Sequence, residues 1–433
     1  DMFAWDLARF GEWADKAFTK ARVRDQYMHR FKIHFPNEER AAGRPAMTRP
    51  AYEMQRGMGA VFGLNAGWEH PLWFADAPGT EDTNGFARQN WFEPVGREAA
   101  MLRDAVGVID ISNFGKYEVT GPGAGDWLDA LVANHVPREI GKSCLTPLIG
   151  MRGGVAGDFT VTMTGDESYM MIGSGMAERY HRRFFDMVPL PDGTGFEVAT
   201  PRIAGFNVAG PRSREMLAGL TDADLSNEGW RFMRSRRIAV GGVDCLAIRV
   251  SFTGDLGWEL HCAVDDQVAL YEILLEAAAA HGGGPVGGRA LGALRIEKGY
   301  GSWGREYSPE YWPQEAGLHG LIKLDKNFLN KEAYLKISNT PPRESLTMFE
   351  VDVTDNADAN GGEPIFLADG TPVGRVTSGS YGYTVGKSLA IGYAREGVVS
   401  AGDRVEIFIL GKPHAATVLD KPPFDAGGER LRA

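Results

Sequence analysis

Apolar and polar positions alternate strictly from Asp158 onward. Asp158, Thr160, Thr162 and Thr164 share one face, and Phe159, Val161 and Met163 share the other. The pattern predicts a strand entered from the glycine turn Gly153-Gly154-Val155-Ala156-Gly157. Gly165-Asp166 then turns the chain into a second strand at Tyr169-Met170-Met171-Ile172, a hairpin. A glycine turn therefore delivers one carboxylate to the head of a strand. Two readings of Asp158 stand side by side: a turn residue that caps its own backbone, and a site carboxylate.

A strand-turn-helix unit occurs twice. Tyr117-Glu118-Val119-Thr120 meets Gly121-Pro122, and Trp127, Leu128 and Leu131 follow at helical spacing. Phe206-Asn207-Val208-Ala209 meets Gly210-Pro211, and Met216, Leu217 and Leu220 follow in the same way. This duplication predicts an α+β body over roughly residues 90–335, with Asp158 in its first half. In the second half, Gly254-Asp255-Leu256-Gly257 predicts a turn between two strands. Beyond it Trp258 and Leu260 face one way, Glu259 and His261 the other. Glu259 mirrors Asp158 as a carboxylate just past a glycine turn, and a solvated sheet face is the competing reading.

Ala290, Leu291 and Leu294 predict a helix after Gly287-Gly288. Arg289 falls in its first turn, where the helix dipole disfavours a cation. That placement suggests another task for Arg289, such as pairing with a carboxylate. From residue 346 the pattern becomes all-β, with short strands at Val373–Gly379, Leu389–Tyr393 and Val405–Ile409 separated by glycine turns. It predicts a small barrel or jelly roll over residues 346–433. Residues 76–90 and 336–345 are polar, with proline, and read as linkers.

Length changes the picture first: 433 residues exceed one compact core, so several domains are expected. The 43% hydrophobic and 24% charged content is that of an ordinary globular chain. A net charge of −11 argues against nucleic acid or an acidic membrane as the main partner. No apolar run approaches the length of a membrane span. The three widely spaced cysteines suggest a reducing compartment. The nine histidines show no metal-binding spacing, which argues against a metal site. The segment from Asp1 to Leu7 has no basic region or cleavage pattern and reads as the interior of a folded domain. Phe62, Trp68, Trp73 and Phe74 form a dense aromatic stretch. It is a core or interface anchor on one reading and a contact surface for another domain on the other.

Taken together, several motifs resemble the glycine-cleavage T-protein (aminomethyltransferase) superfamily over roughly residues 90–433. They are Val108-Ile109-Asp110-Ile111-Ser112, Gly153-Gly154-x-x-x-Asp158, Phe252-Thr253-Gly254-x-x-Gly257-x-Glu259, Leu294-Arg295-x-Glu297-x-Gly299, and Val376-Thr377-Ser378-Gly379. Residues 1–80 resemble the linking region, the central domain of a flavin oxidase, in dimethylglycine and sarcosine dehydrogenases. Trp91-Phe92-Glu93-Pro94-Val95-Gly96-Arg97-Glu98 points to the same subgroup.

The resemblance implies a three-subdomain, clover-like α+β fold around a tetrahydrofolate site, ending in a β-barrel. It implies one-carbon transfer in the oxidative N-demethylation of a methylated amine, forming 5,10-methylenetetrahydrofolate. FAD would sit on an absent domain or partner chain. Asp158 would be the catalytic carboxylate near the reactive folate nitrogens, and Glu259 would bind the pterin. Phe252 stands where many relatives carry a tyrosine, so stacking would remain without the hydroxyl contact. Arg289 or Arg295 would bind the anionic part of folate, and Tyr169 is a further pocket candidate, with an ordinary core tyrosine as the competing reading. Ser112-Asn113-Phe114 departs from the Ser-His-Met of glycine-cleavage members, which puts a lipoyl-linked substrate in question. Two rival readings are a flavin-independent methyltransferase and a non-catalytic folate-binding subunit. The implied location is the cytoplasm, or the mitochondrial matrix in a eukaryote.

Overall fold

The computed structural model describes residues 5–433. Asp1 to Ala4, the start of the segment read as a domain interior, lie outside the described residues.

Both copies of the strand-turn-helix unit form. Strand Gly115–Thr120 leads through Gly121-Pro122 to helix Ala124–Leu131, and strand Ile203–Ala209 leads through Gly210-Pro211 to helix Ser213–Ala218. Gly210 explains the tight turn. Its φ is 130°, and a Cβ there would lie 2.4 Å from the Leu102 carbonyl oxygen and 2.5 Å from that of Ala105. Only glycine tolerates both conditions.

Each copy belongs to its own sheet. The first sheet is antiparallel, in the order Ser143–Ile149, Val155–Gly165, Ser168–Gly173, Gly115–Thr120, Gly195–Val198. Trp127, Leu128 and Leu131 pack on it against Tyr117, Phe159 and Val161. The second sheet runs Ser235–Val240, Val243–Ile248, Gly257–Ala263, Ile203–Ala209, Gly107–Asp110, Gly284–Val286, with only the last pair parallel. Met216 and Leu217 pack there against Trp258 and Leu260. The C-terminal strands close into a six-stranded barrel around Phe349, Val376, Ala390, Ile407 and Val418.

The structure departs from the sequence pattern in three places. Residues 249–256 are an irregular loop, not the arm of a tight hairpin. Polar side chains pull this loop inward: Arg249 donates to the carbonyls of Trp230 and Ala433, and Asp255 is 1% exposed. Residues 76–90 contain no helix or strand through Asn90, yet they are pinned rather than free. Asp82 accepts a bond from Trp73 Nε1 at 2.7 Å, and Arg88 pairs with Asp358 at 2.7 Å. Helix Lys331–Ser338 extends into the second expected linker.

The aromatic stretch is mostly internal. Trp73, on hairpin strand Trp68–Phe74, is buried with Val95, Leu102 and Leu294. Exposed apolar surface lies upstream instead, at Trp5, Leu7, Tyr27, Phe31 and Ile33. Helix Lys16–His29 buries no residue at all.

A buried charge cluster joins the parts. Arg103, on helix Phe92–Asp104, pairs with Asp255 and, at 2.9 Å, with Glu297 on helix Gly288–Glu297. Glu297 also accepts bonds from the backbone and hydroxyl of Thr384 in the barrel, at 2.7 and 2.6 Å. Arg430 near the C-terminus takes the other oxygen of Asp255 at 2.6 Å. Removing one member of such a cluster strands charge in a dry interior. Arg103→Met should therefore lower unfolding stability by about 3–5 kcal/mol. Urea titration followed by circular dichroism measures it, and a loss below about 1 kcal/mol would show the cluster to be dispensable.

Candidate active site

Strand Val155–Gly165 keeps the predicted alternation around Asp158. Phe159 and Val161 are buried in the first core, so Asp158 and Thr160 point to the opposite face. Tyr169 pairs across the hairpin with Met163 and so belongs to the core face. Its hydroxyl donates to the Pro137 carbonyl at 3.1 Å, so the structure does not bring Tyr169 to Asp158.

Asp158 is half-buried, and burial pushes its carboxyl up to about 6 from an ordinary 3.8. Among the described residues no cation appears among the causes that act on it. Tyr307 is its neighbour: burial raises that phenol first, and the Asp158 charge second.

Glu259 lies on strand Gly257–Ala263, between Trp258 and Leu260 of the second core. It faces the other way, paired with Asn207 on one flank and Ile248 on the other. His261, two residues on and on the same face, brings Nε2 to 3.4 Å from Glu259 Oε2. Behind them Lys116 is fully buried, its Nζ donating to the carbonyls of Ile111, Ser112 and Phe114 at 3.3, 3.2 and 3.1 Å. Burial first, then the Arg49 charge, pushes this ammonium down to about 7, while Asp110 and Glu259 oppose the fall. Phe252 stacks on Tyr300 with ring centroids 5.8 Å apart and planes 18° apart.

The two carboxylate faces turn toward each other. Ile172 pairs with Thr160, two residues from Asp158, and Ile248 pairs with Glu259. Ile172 and Ile248 meet in one buried cluster, with Phe114 and Val250 packed against it. Cross-strand partners share a sheet face. Asp158 and Glu259 therefore border the same space between the sheets. Residues 299–307 run from one side to the other, with Tyr300 on Phe252 and Tyr307 beside Asp158.

Both candidate arginines have partners within the protein. Arg289 pairs with Asp82 through both guanidinium nitrogens, at 3.1 and 2.7 Å, and lies 4.8 Å over the Trp91 ring. This is the carboxylate partner that its helix position suggested. Arg295 is buried and donates to Glu306 and Tyr300 O, both at 2.8 Å, and to Ser378 Oγ at 2.8 Å. Surface cavities of about 370 and 520 Å³ lie away from the carboxylates. One is bordered by Arg289 and Tyr381, the other by Trp13 and Met176.

Sequence reasoning put His261 on the Glu259 face without a role, and missed Asn207, Lys116, Tyr300 and Tyr307 as site neighbours. Asn207 carried a signal, a lone amide within the apolar strand Ile203–Ala209. Tyr300 and Tyr307 carried none, because only the fold of residues 299–307 brings them in.

A duplicated α+β body and a closed six-stranded barrel make up the architecture. The chain belongs to the glycine cleavage T-protein family. Residues 51–326 match the GCVT N-terminal domain, and residues 345–425 match the glycine cleavage T-protein C-terminal barrel domain. Residues 1–48 match the FAD dependent oxidoreductase central domain.

Mitochondrial dimethylglycine dehydrogenase of Mus musculus is 35% identical over 98% of this chain and 49% of its own length. A formaldehyde-forming 4-methylaminobutanoate oxidase of Paenarthrobacter nicotinovorans is 31% identical over 100% of this chain and 52% of its own length. The chain thus spans about half the length of these curated relatives. The crystal structure of aminomethyltransferase T from Bartonella henselae shares the fold, with a TM-score of 0.75 at 23% identity, covering 88% of this chain and 98% of that one.

The raised Asp158 carboxyl has a thermodynamic consequence. A folded value near 6 above an unfolded 3.8 means that ionisation costs the folded state stability as pH rises through this window. Asp158→Asn removes that cost. The variant should exceed the parent by about 1–2 kcal/mol near pH 8, less than the full shift because water reaches the half-buried group, and match it below about pH 4. Urea unfolding at both pH values checks this. Equal stability at the higher pH would mean that the carboxyl is not strained.

Proposed function

We propose that the chain binds a reduced folate between Asp158 and Glu259. There it moves one carbon onto the folate during oxidative N-demethylation of a methylated amine resembling dimethylglycine or sarcosine. The observation that carries this reading is the pair of unlike carboxylates bordering one inter-sheet space: Asp158 pushed up to about 6 by burial, and Glu259 beside Asn207 and His261.

The residues present fit such a ligand. Asn207 Oδ1 and both ring nitrogens of His261 are buried without hydrogen-bond partners. With the Glu259 carboxylate, Asn207 Oδ1 makes an acceptor-rich edge suited to the N–H-rich edge of a pterin. The Phe252–Tyr300 stack offers an aromatic wall. Reduced folate, when bound, supplies nitrogen nucleophiles for an electrophilic one-carbon unit. Glu259 anchors and orients. Asp158 accepts the proton shed at the attacking nitrogen and, with a pKa close to neutrality, can return it. A bound folate would fill the inter-sheet space and displace water from the reacting carbon.

The flavin step would belong to a further domain or partner. The match of residues 1–48 to an FAD dependent oxidoreductase central domain supports this, as does the exposed apolar surface from Trp5 to Ile33. Among the described residues no helix is long and apolar enough to cross a membrane. We place the protein in the cytoplasm or, in a eukaryote, the mitochondrial matrix.

Folate titration and single-turnover condensation of formaldehyde with tetrahydrofolate test the reading. Asp158→Asn should slow formation of 5,10-methylenetetrahydrofolate by about 10²–10⁴-fold with little change in affinity. Glu259→Gln should weaken folate binding by about 2–3 kcal/mol with the bound-state rate nearly kept. An unchanged rate for Asp158→Asn with lost affinity would make Asp158 a binding residue only. A 5-methyl product from a sulfonium or ether donor would favour a methyltransferase instead.

A further inference from the structure

We propose that His261 is the positioning residue for Glu259: its Nε2–H holds the carboxylate so that the remaining acceptor positions face the ligand. This rests on the folate reading of the site and adds to it a residue that the sequence motif does not contain.

Four observations converge. First, Glu259 and His261 lie two apart on one strand and so share a face, with Nε2 at 3.4 Å from Oε2. Second, the imidazole side chain is only 1% exposed, and neither ring nitrogen makes a hydrogen bond; the 3.4 Å approach of Nε2 to Glu259 is an ion-pair contact. A buried polar ring without a structural bond is costly, so its contact with the carboxylate is the interaction left to justify it.

Third, the backbone is cut to receive the ring. His261 pairs across the sheet with Gly205, where a Cβ would stand 2.9 Å from Nδ1, 3.2 Å from Cε1 and 3.2 Å from Ile111. Any larger residue at 205 would push the imidazole off Glu259. Fourth, burial lowers the imidazole pKa and the nearby Lys116 charge lowers it further, against the pull of Glu259. A neutral ring has one N–H to give. Placed on Nε2, it meets the carboxylate and leaves that group its negative charge.

The consequence is specific. An unheld glutamate samples rotamers that a ligand must pay to restrict, and an imidazole contact removes that cost beforehand. The contact is the same in ground and transition states, so it should appear in affinity rather than in the bound-state rate.

The test uses the full chain and 5-formyltetrahydrofolate, a stable reduced folate, as the binding probe. His261→Leu keeps approximate volume and removes the N–H. It should weaken binding about ten- to thirtyfold, and the single-turnover rate at saturating tetrahydrofolate should stay within about twofold. His261→Gln, which keeps an N–H of similar reach, should recover affinity to within about threefold of the parent. In a Glu259→Gln background, His261→Leu should cost less than about threefold more, because the partner is already altered. Thermal melts of all variants establish folding, with His261→Gln as the folded control.

A silent His261→Leu beside an impaired Glu259→Gln would overturn the His261 assignment alone. An undiminished His261→Leu effect in the Glu259→Gln background would also overturn it, since the ring would then act independently of the carboxylate. Silence of both single variants would sink the folate role of Glu259 as well.

Discussion

Glu297 occupies one of the driest positions in the protein, with no exposure, where the second half of the body meets the barrel. A carboxylate there is tolerated only because every oxygen is met by Arg103 or by Thr384. Two residues away on the same helix, Arg295 binds Glu306, and Glu306 takes the Thr377 hydroxyl of the barrel at 2.7 Å. One short helix thus fastens body to barrel through two sets of desolvated charges. The same set fixes the segment that follows. Arg295 holds the Tyr300 carbonyl, and Glu306 accepts the Ser302 N–H at 2.9 Å. Tyr300 and Tyr307 reach the site from that anchored segment, so the aromatic wall depends on charges that never touch it.

The site separates two carboxylates by environment. Asp158 stands beside Tyr307, and burial raises its carboxyl against a smaller backbone hydrogen bond that lowers it. Glu259 stands beside an imidazole and near a buried ammonium. Groups of one chemical type thus meet different surroundings, which is how a fold gives like side chains different proton affinities. Lys116 contributes from behind by tying down the loop of Ser112, Asn113 and Phe114, whose phenyl ring packs between the two sheets.

The N-terminal region obeys a different logic. Its hairpin is part of the body core through Trp73, while the helix before it presents no buried face. Apolar side chains left in water at this density are characteristic of a surface that another domain covers. The relatives matched are about twice as long as this chain.

Periodicity was enough to determine the local elements. Asp158 on its hairpin, Glu259 opposite Trp258 and Leu260, both strand-turn-helix copies and the all-β end follow from side-chain alternation and turn chemistry. Those signals are short-range, and they survive in one dimension. Arg289 illustrates the boundary: its helix position implied a carboxylate partner, but nothing local could name Asp82. Arg295, one of the two arginines that the resemblance offered for the anionic part of folate, hydrogen-bonds Glu306, the Tyr300 carbonyl and Ser378 in the folded chain. Tyr169 has the right strand but the wrong face for Asp158, a matter of pairing register with Met163. The meeting of the two sheets through Ile172 and Ile248, and the arrival of His261 over Gly205, exist only once distant segments are packed. Alternation decides which face a side chain takes; long-range packing decides what that face meets.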